Sequence, residues 1–297
     1  MLRSSIDDFI MDRQISGCTP KTLTWHKTAL GRFHQFLDAE QVADLDSLSP
    51  SIIRRYIAHL QSSGLSAASV ATYTRSLFAF TKWLHEEGLT DQNVQGNVKR
   101  PRQPQQMKEP FTDEEITRLL TACKRSDYPL RDVAIFSLMF DCGLRAGEIT
   151  SLEMRRLHLD QQMLVVRGKG QKDRVVPFSL QTSRALRRYI SRERPKSAEE
   201  LVFTTRQGRQ FHANTLLQMV TRRALQAGVT DAHPHRFRHT FAVSYLRNGG
   251  DGFTLQRILG HTTPTMTNRY LNFTGEDLLQ RHTAASPLSN LDRKGST

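Results

Sequence analysis

The chain has 297 residues, enough for two domains that each bury a core, and its 38% hydrophobic and 24% charged content excludes a disordered polymer. Its formal net charge of +13 points to a polyanionic partner, nucleic acid first. The excess is uneven: residues 1–110 carry 13 Lys+Arg against 11 Asp+Glu, and residues 111–297 carry 29 against 18, so a site acting on a polyanion is expected in the second part.

The opening MLRSSIDDFIMDRQ mixes acids with apolar residues, unlike a signal peptide. Ile6, Phe9 and Ile10 instead begin a helical stripe, and Trp25, Leu30, Phe33, Phe36 and Leu37 continue the pattern in a second helix. Ser49-Pro50 has the form of a cap followed by proline at the first helical position, and opens a helix whose stripe is Ile52, Ile53, Tyr56, Ile57 and Leu60. Residues 66–84 make a fourth helix with Val70, Tyr73, Leu77, Phe80, Trp83 and Leu84 inward. The segment KRPRQPQQMKEP is basic, proline-bearing and aperiodic, as an interdomain linker over 100–110 would be.

From residue 111 the pattern changes. Thr112 to Glu115 forms a capping-box signature ahead of Ile116, Leu119 and Leu120. Residues 132–142 are an apolar helix closed by Gly143; its run 134–140 is broken by Ser137 and is too short to span a bilayer. MLVVR (163–167) and RVVPF (174–178) flank the glycine-bearing GKGQKD as a β-hairpin, and LVFTT (201–205) is expected to add a third strand. Residues 214–227 form another helix ending at Gly228, and residues 285–297 are expected to be a flexible tail. The fold class is therefore mainly α with a small antiparallel sheet: an all-helical domain over 1–99 and a mixed α/β domain over 111–284. Cys18, Cys123 and Cys142 are far apart, without the C-x-x-C spacing of a thiolate zinc site, and suit a reducing cytosol better than a disulfide framework.

Chemistry concentrates in the second domain. Arg145 stands where one helix ends and the next begins, positioned either to hold a phosphate with its planar donor fork or to pair with Glu148 on the surface. His235 and Arg238 share one helical face, joining a group that titrates near neutrality to a permanent cation. His233, His235 and His239 lack the H-E-x-x-H pattern of a zinc site, so no metal is expected. His261 follows Gly260, and nine residues later comes Tyr270 beside Arg269. A phenol, with a pKa of about 10, becomes a nucleophile only where its proton is accepted and the attacked phosphate is neutralised. Lys169 occupies the hairpin tip between two glycines, with Lys172 as the rival; either could equally be an exposed loop lysine.

The segments CGLRAGEITSL, VRGKGQKDRVVPF, HPHRFRHTFA and ILGHTTPTMTNRYL, in that order, resemble those of the tyrosine recombinase (phage integrase) family, and above all its two-domain Xer-like members. The resemblance covers nearly all the chain. It implies a SAM-like core-binding domain in front of a tyrosine-recombinase catalytic domain. It also implies that Arg145, Arg238 and His261 contact the scissile phosphate, that His235 handles the proton of the nucleophile Tyr270, and that Lys169 protonates the departing 5′ oxygen. Glu148 and His239 would orient these groups. The family works on double-stranded DNA at paired core sites as a tetramer, of one recombinase or with a related one, through a 3′-phosphotyrosyl bond and a Holliday junction. The energy of the broken bond stays in the phosphotyrosine, so neither ATP nor metal is implied, in keeping with the absence of a G-x-x-x-x-G-K-[ST] loop. A cytoplasmic, nucleoid-associated setting follows. Leu278 and Leu279 resemble the tail that docks on a neighbouring subunit, with a self-packed helix as the alternative; Phe237 stands where leucine is commoner. A type IB topoisomerase shares this chemistry but relaxes supercoils as a monomer. A DNA-binding regulator would have no use for Tyr270.

Overall fold

The computed structural model describes residues 2–42, 44–101, 109–168, 173–196, 200–261, 263, 270 and 282. Most of the expected linker, the hairpin tip with Lys169 and Lys172, Leu278, Leu279 and the tail 285–297 lie outside the described residues. The chain divides into two compact units, Met1–Met107 and Lys108–Thr297.

The first unit is all helix: α1 (Leu2–Ile15), α2 (Pro20–Ala39), α3 (Pro50–Ser62) and α4 (Ala67–Glu86). The starts of α2, α3 and α4 are fixed by hydroxyls. Thr19, Ser49 and Ser66 accept from the backbone N–H groups of Thr22, Ile52 and Ser69, and proline opens both α2 and α3 where its missing donor costs nothing. The apolar stripes close on one core. Phe9 meets Phe80 and Trp83 edge-on at 5.5 and 5.6 Å, and Phe33 meets Tyr56 at 4.9 Å. Trp25 and Tyr73 are only half-buried. They sit at the margin of their stripes and lean on each other at 5.0 Å, with the Arg32 guanidinium over the Tyr73 ring.

The second unit contains α5 (Asp113–Lys124), α6 (Pro129–Cys142), α7 (Ala146–Thr150), β1 (Leu157–His158), β2 (Met163–Arg167), β3 (Asp173–Pro177), α8 (Leu180–Arg192), α9 (Ala213–Ala227), α10 (Pro234–Arg247) and α11 (Gly252–Leu259). The α5 capping box forms: the Glu115 N–H donates to Thr112 Oγ1 at 3.2 Å and the Thr112 N–H donates to Glu115 Oε2 at 3.1 Å. Helix α6 is the centre of the unit, flanked by α5, α8 and α10. Cys123 and Cys142 lie in the same core, where burial pushes both thiols up, away from thiolate chemistry.

The sheet is antiparallel in the order β1-β2-β3, with Leu164 opposite Val176 and Val166 opposite Arg174. Its third strand is Leu157–His158, not the expected 201–205. That stretch makes single bridges, Leu201 to Glu153 and Thr204 to Gln210. The chain reverses immediately after it, where the Thr205 N–H donates to Arg209 O and Gly208 has a φ of +74°. Its successive apolar residues Val202 and Phe203 are both fully buried, so they serve the core without the alternation of a ladder.

Candidate active site

Four structural endings meet at one place. Helix α6 stops at Gly143, whose φ of +58° and whose absent Cβ, which would lie 2.6 Å from Phe241, both require glycine. Two residues on, Arg145 caps α7. Its backbone N–H donates to Glu148 Oε2 and its Nη1 to Glu148 Oε1, each at 2.9 Å. The pairing with Glu148 therefore exists, but with a buried carboxylate and not on the surface, and Arg145 also reaches into the cluster: Nη1 donates to the carbonyl of Leu259 at 3.4 Å.

Arg238 reaches the same carbonyl from α10. It is 4% exposed, and it donates through Nη2 to Leu259 O at 2.7 Å and through Nη1 to Gly143 O at 2.9 Å. The end of α11 thus gathers guanidinium groups at its partly negative terminus. Burial, then the repulsion of Arg145, pushes the pKa of Arg238 down to about 10; Glu148 and Tyr270 act against that shift. Arg238 remains charged at neutral pH.

Glu148 is buried, and burial alone would raise its carboxyl pKa. The hydrogen bonds and charge of Arg174, followed by those of Arg145, outweigh that and hold it below the usual range. Arg174, on β3, donates bidentately to Glu148 at 2.9 Å on both arms and through Nε to Ile258 O at 2.7 Å. The sequence reading missed this residue. Its signal was present: Arg174 is two residues from the buried Val176, on the same face of β3, and stands opposite the buried Val166, which puts an arginine on an inward face.

His235 is exposed on the first turn of α10, which Pro234 opens and His233 caps through Nδ1, 3.2 Å from the Arg236 N–H. Partial desolvation, then the charges of Arg238 and Arg145, lower its pKa, so the imidazole is neutral at pH 7 and able to accept a proton. His261 is 8% exposed. The Tyr270 ring stacks near His261 with centroids 6.1 Å apart and planes at 18°, and lies 5.5 Å from the ring of His239. Tyr270 packs on the core of the second unit and lies within electrostatic range of Arg238. The structure therefore brings Arg145, Glu148, His235, Arg238, His239, His261 and Tyr270 into one neighbourhood, leaving Lys169 outside the described residues.

A buried and a partly exposed arginine backed by one carboxylate, beside a phenol and an imidazole, can serve attack on a phosphodiester. Residues 109–276 match the family model described as the phage integrase family, and residues 6–88 match that of its N-terminal SAM-like domain. The chain belongs to the phage integrase family. It is 28% identical to the tyrosine recombinase XerD of Oceanobacillus iheyensis over 97% of this chain and 99% of that one. It is 31% identical to the tyrosine recombinase XerC of Chlorobaculum tepidum, covering 90% and 89% of the two chains. Its fold resembles that of the Tn1549 transposon integrase, solved in complex with a circular intermediate DNA, with a TM-score of 0.79, 18% identity, and coverage of 96% and 99%. Within the family it is a tyrosine-type site-specific DNA recombinase similar to XerC and XerD.

Proposed function

We propose that the chain cleaves and rejoins DNA through a 3′-phosphotyrosine at Tyr270. The observation that carries this reading is the convergence of Arg145 and Arg238 on the Leu259 carbonyl, with Tyr270 beside His261. Two guanidinium groups held together repel each other, and after burial that repulsion is the next cause of the lowered pKa of Arg238. A phosphate between them relieves that repulsion, and relieves it most in the transition state, where charge gathers on the nonbridging oxygens.

In this scheme the Tyr270 oxygen attacks the phosphorus, its proton passes to neutral His235, and the P–O bond to the 5′ oxygen breaks. Lys169, by its motif position at the hairpin tip, gives that oxygen a proton so that a hydroxyl leaves instead of an alkoxide. His261 contacts the phosphate, while Glu148 and His239 orient the charged and ring groups. Reversal by a different 5′ hydroxyl joins new strands without ATP or metal. Four copies acting on two paired core sites, two strands at a time, would pass through a Holliday junction on the nucleoid.

The test begins with a library of nicked duplexes randomised across the core. Covalent adducts retained on a denaturing gel yield the substrate. Tyr270→Phe should abolish the adduct and leave DNA binding nearly unchanged; persistence of the adduct would remove Tyr270 as nucleophile. Lys169→Ala should slow cleavage, and a 5′-bridging sulfur, which leaves without a proton, should restore much of the rate. If Lys172→Ala behaves that way instead, the general acid is Lys172.

A further inference from the structure

The hairpin strand β3 contributes more to this site than a route to its tip. From β3, Arg174 bonds both to the acid of the cluster and to the helix end on which the arginines converge, as Arg145 does from α7. Its two Nη atoms take both oxygens of Glu148, and its Nε takes the carbonyl of Ile258, next to the Leu259 carbonyl shared by Arg145 and Arg238. The geometry is enforced from the far side by Gly260. That residue has a φ of +64°, and a Cβ on it would lie 3.0 Å from Arg174 Cδ and 3.1 Å from its Nε, so the backbone closes directly over the arginine. The Arg174 side chain is 11% exposed and that of Glu148 is 8% exposed, whereas that of Arg145 is 37% exposed. Arg174 is thus the enclosed member of the Glu148 pair and Arg145 the one facing outward.

From this we infer that Arg174 is a positioning residue for strand cleavage: by fixing Glu148 and the end of α11, it sets the orientation of Arg145 and Arg238 toward the scissile phosphate. The inference rests on the phosphate-binding reading of those two arginines. A lysine in place of Arg174 keeps the charge and loses the fork, since one ammonium cannot span both carboxylate oxygens and a carbonyl in these directions. Small displacements of a positioning group propagate steeply into rate, about 10²-fold for 1 Å.

The test uses the full chain and the nicked substrate recovered above. Arg174→Lys is expected to slow single-turnover cleavage by about 10²-fold, with DNA affinity changed only slightly. Glu148→Gln should show a defect of the same kind. The double variant should be no slower than the slower single, because both act through one geometry. With a methylphosphonate at the scissile position, which lacks one charged oxygen, the Arg174→Lys defect should shrink markedly. Wild-type cleavage by Arg174→Lys, multiplied defects in the double variant, or an undiminished defect on methylphosphonate would each overturn the inference. Where Arg174→Lys does not fold, Glu148→Gln decides by the same substrate comparison. Failure of Tyr270 to form any adduct would instead sink the underlying reading, so the two failures are separable.

Discussion

The two units bury different kinds of residue. Among the described residues, the polar side chains buried in the first unit are Ser5, Thr74, Ser76 and Thr81, all uncharged. The second unit buries Arg131, Asp132, Glu148, Arg223, Arg238 and His261. Burying charge is unfavourable unless every partner is present, so the first unit gains its stability from shape and apolar contact, while the second accepts a cost in order to hold cations in fixed places. The second unit itself contains two solutions. Asp132 is enclosed between Arg131 and Arg223, its oxygens each accepting at 2.9 Å, and all three side chains are buried. The cluster around Glu148 brings Arg145, Arg174 and Arg238 toward one carboxylate, and Arg145 remains partly exposed. The trio sets two cations on one carboxylate with all three buried, which builds structure; the Glu148 cluster sets three on one and leaves Arg145 partly exposed, a larger and accessible surplus suited to receiving an anion.

The sharpest way to break this contrast is to remove the acid of the buried trio. Asp132→Ala leaves two buried guanidinium groups uncompensated and should cost about 3–5 kcal/mol of stability in urea unfolding. A loss well under 1 kcal/mol would mean that Asp132 does not hold the two buried arginines as the contrast requires. In the open cluster the first effect should be on rate. Arg238→Lys should lower single-turnover cleavage by about 10²–10³-fold, the usual cost of losing one donor to a developing oxyanion, with DNA binding weakened much less. Equal losses in binding and cleavage would reassign Arg238 to ground-state DNA contact. The first unit should answer to local helix chemistry alone. Ser66→Ala removes the α4 cap and should cost about 1 kcal/mol, with cleavage by the folded protein unchanged.

The same contrast decides what was legible in the sequence. In the first unit, spacing at 3.6 residues marked the α3 stripe without error, because nothing but apolar burial was at stake, and Ser49-Pro50 marked its start. Trp25 and Tyr73 escaped at the stripe margins, where periodicity does not say how far a neighbour covers a ring. In the second unit, composition misled at 201–205, where β-branched and aromatic residues fill the core through single bridges. Arg145, His235, Arg238 and His261 each lie beside a local signal, a helix end, a shared face or a glycine turn, whereas Tyr270 stands out by its place after a threonine- and proline-bearing stretch beside Arg269 and by the family resemblance. Arg174 has no such neighbour. Its importance arises from Glu148 and Ile258, distant in sequence, and only the inward register of β3 hinted at it.

The smallest expected effect is the most direct probe of the surplus charge. In the DNA-free protein, partial desolvation first, and then the positive charges of Arg238 and Arg145, lower the pKa of His235 below its ordinary value of 6.5. The protonated form is disfavoured on both counts, so an NMR titration of the ring should give a midpoint below that value and a neutral ring throughout the physiological range. Arg145→Gln removes one of the opposing charges and should move the midpoint upward, incompletely, because partial desolvation and Arg238 remain. A bound phosphate supplies negative charge and should move it upward as well, which also suits a group that must take a proton once the substrate is in place. The acid limb of the cleavage rate should accordingly fall away at lower pH than for an ordinary histidine whenever it reports the free enzyme. A His235 midpoint above 6.5 in the free protein, or one indifferent to Arg145→Gln, would show that the cluster carries no surplus positive field, and the distinction between the buried trio and the open site would fail there.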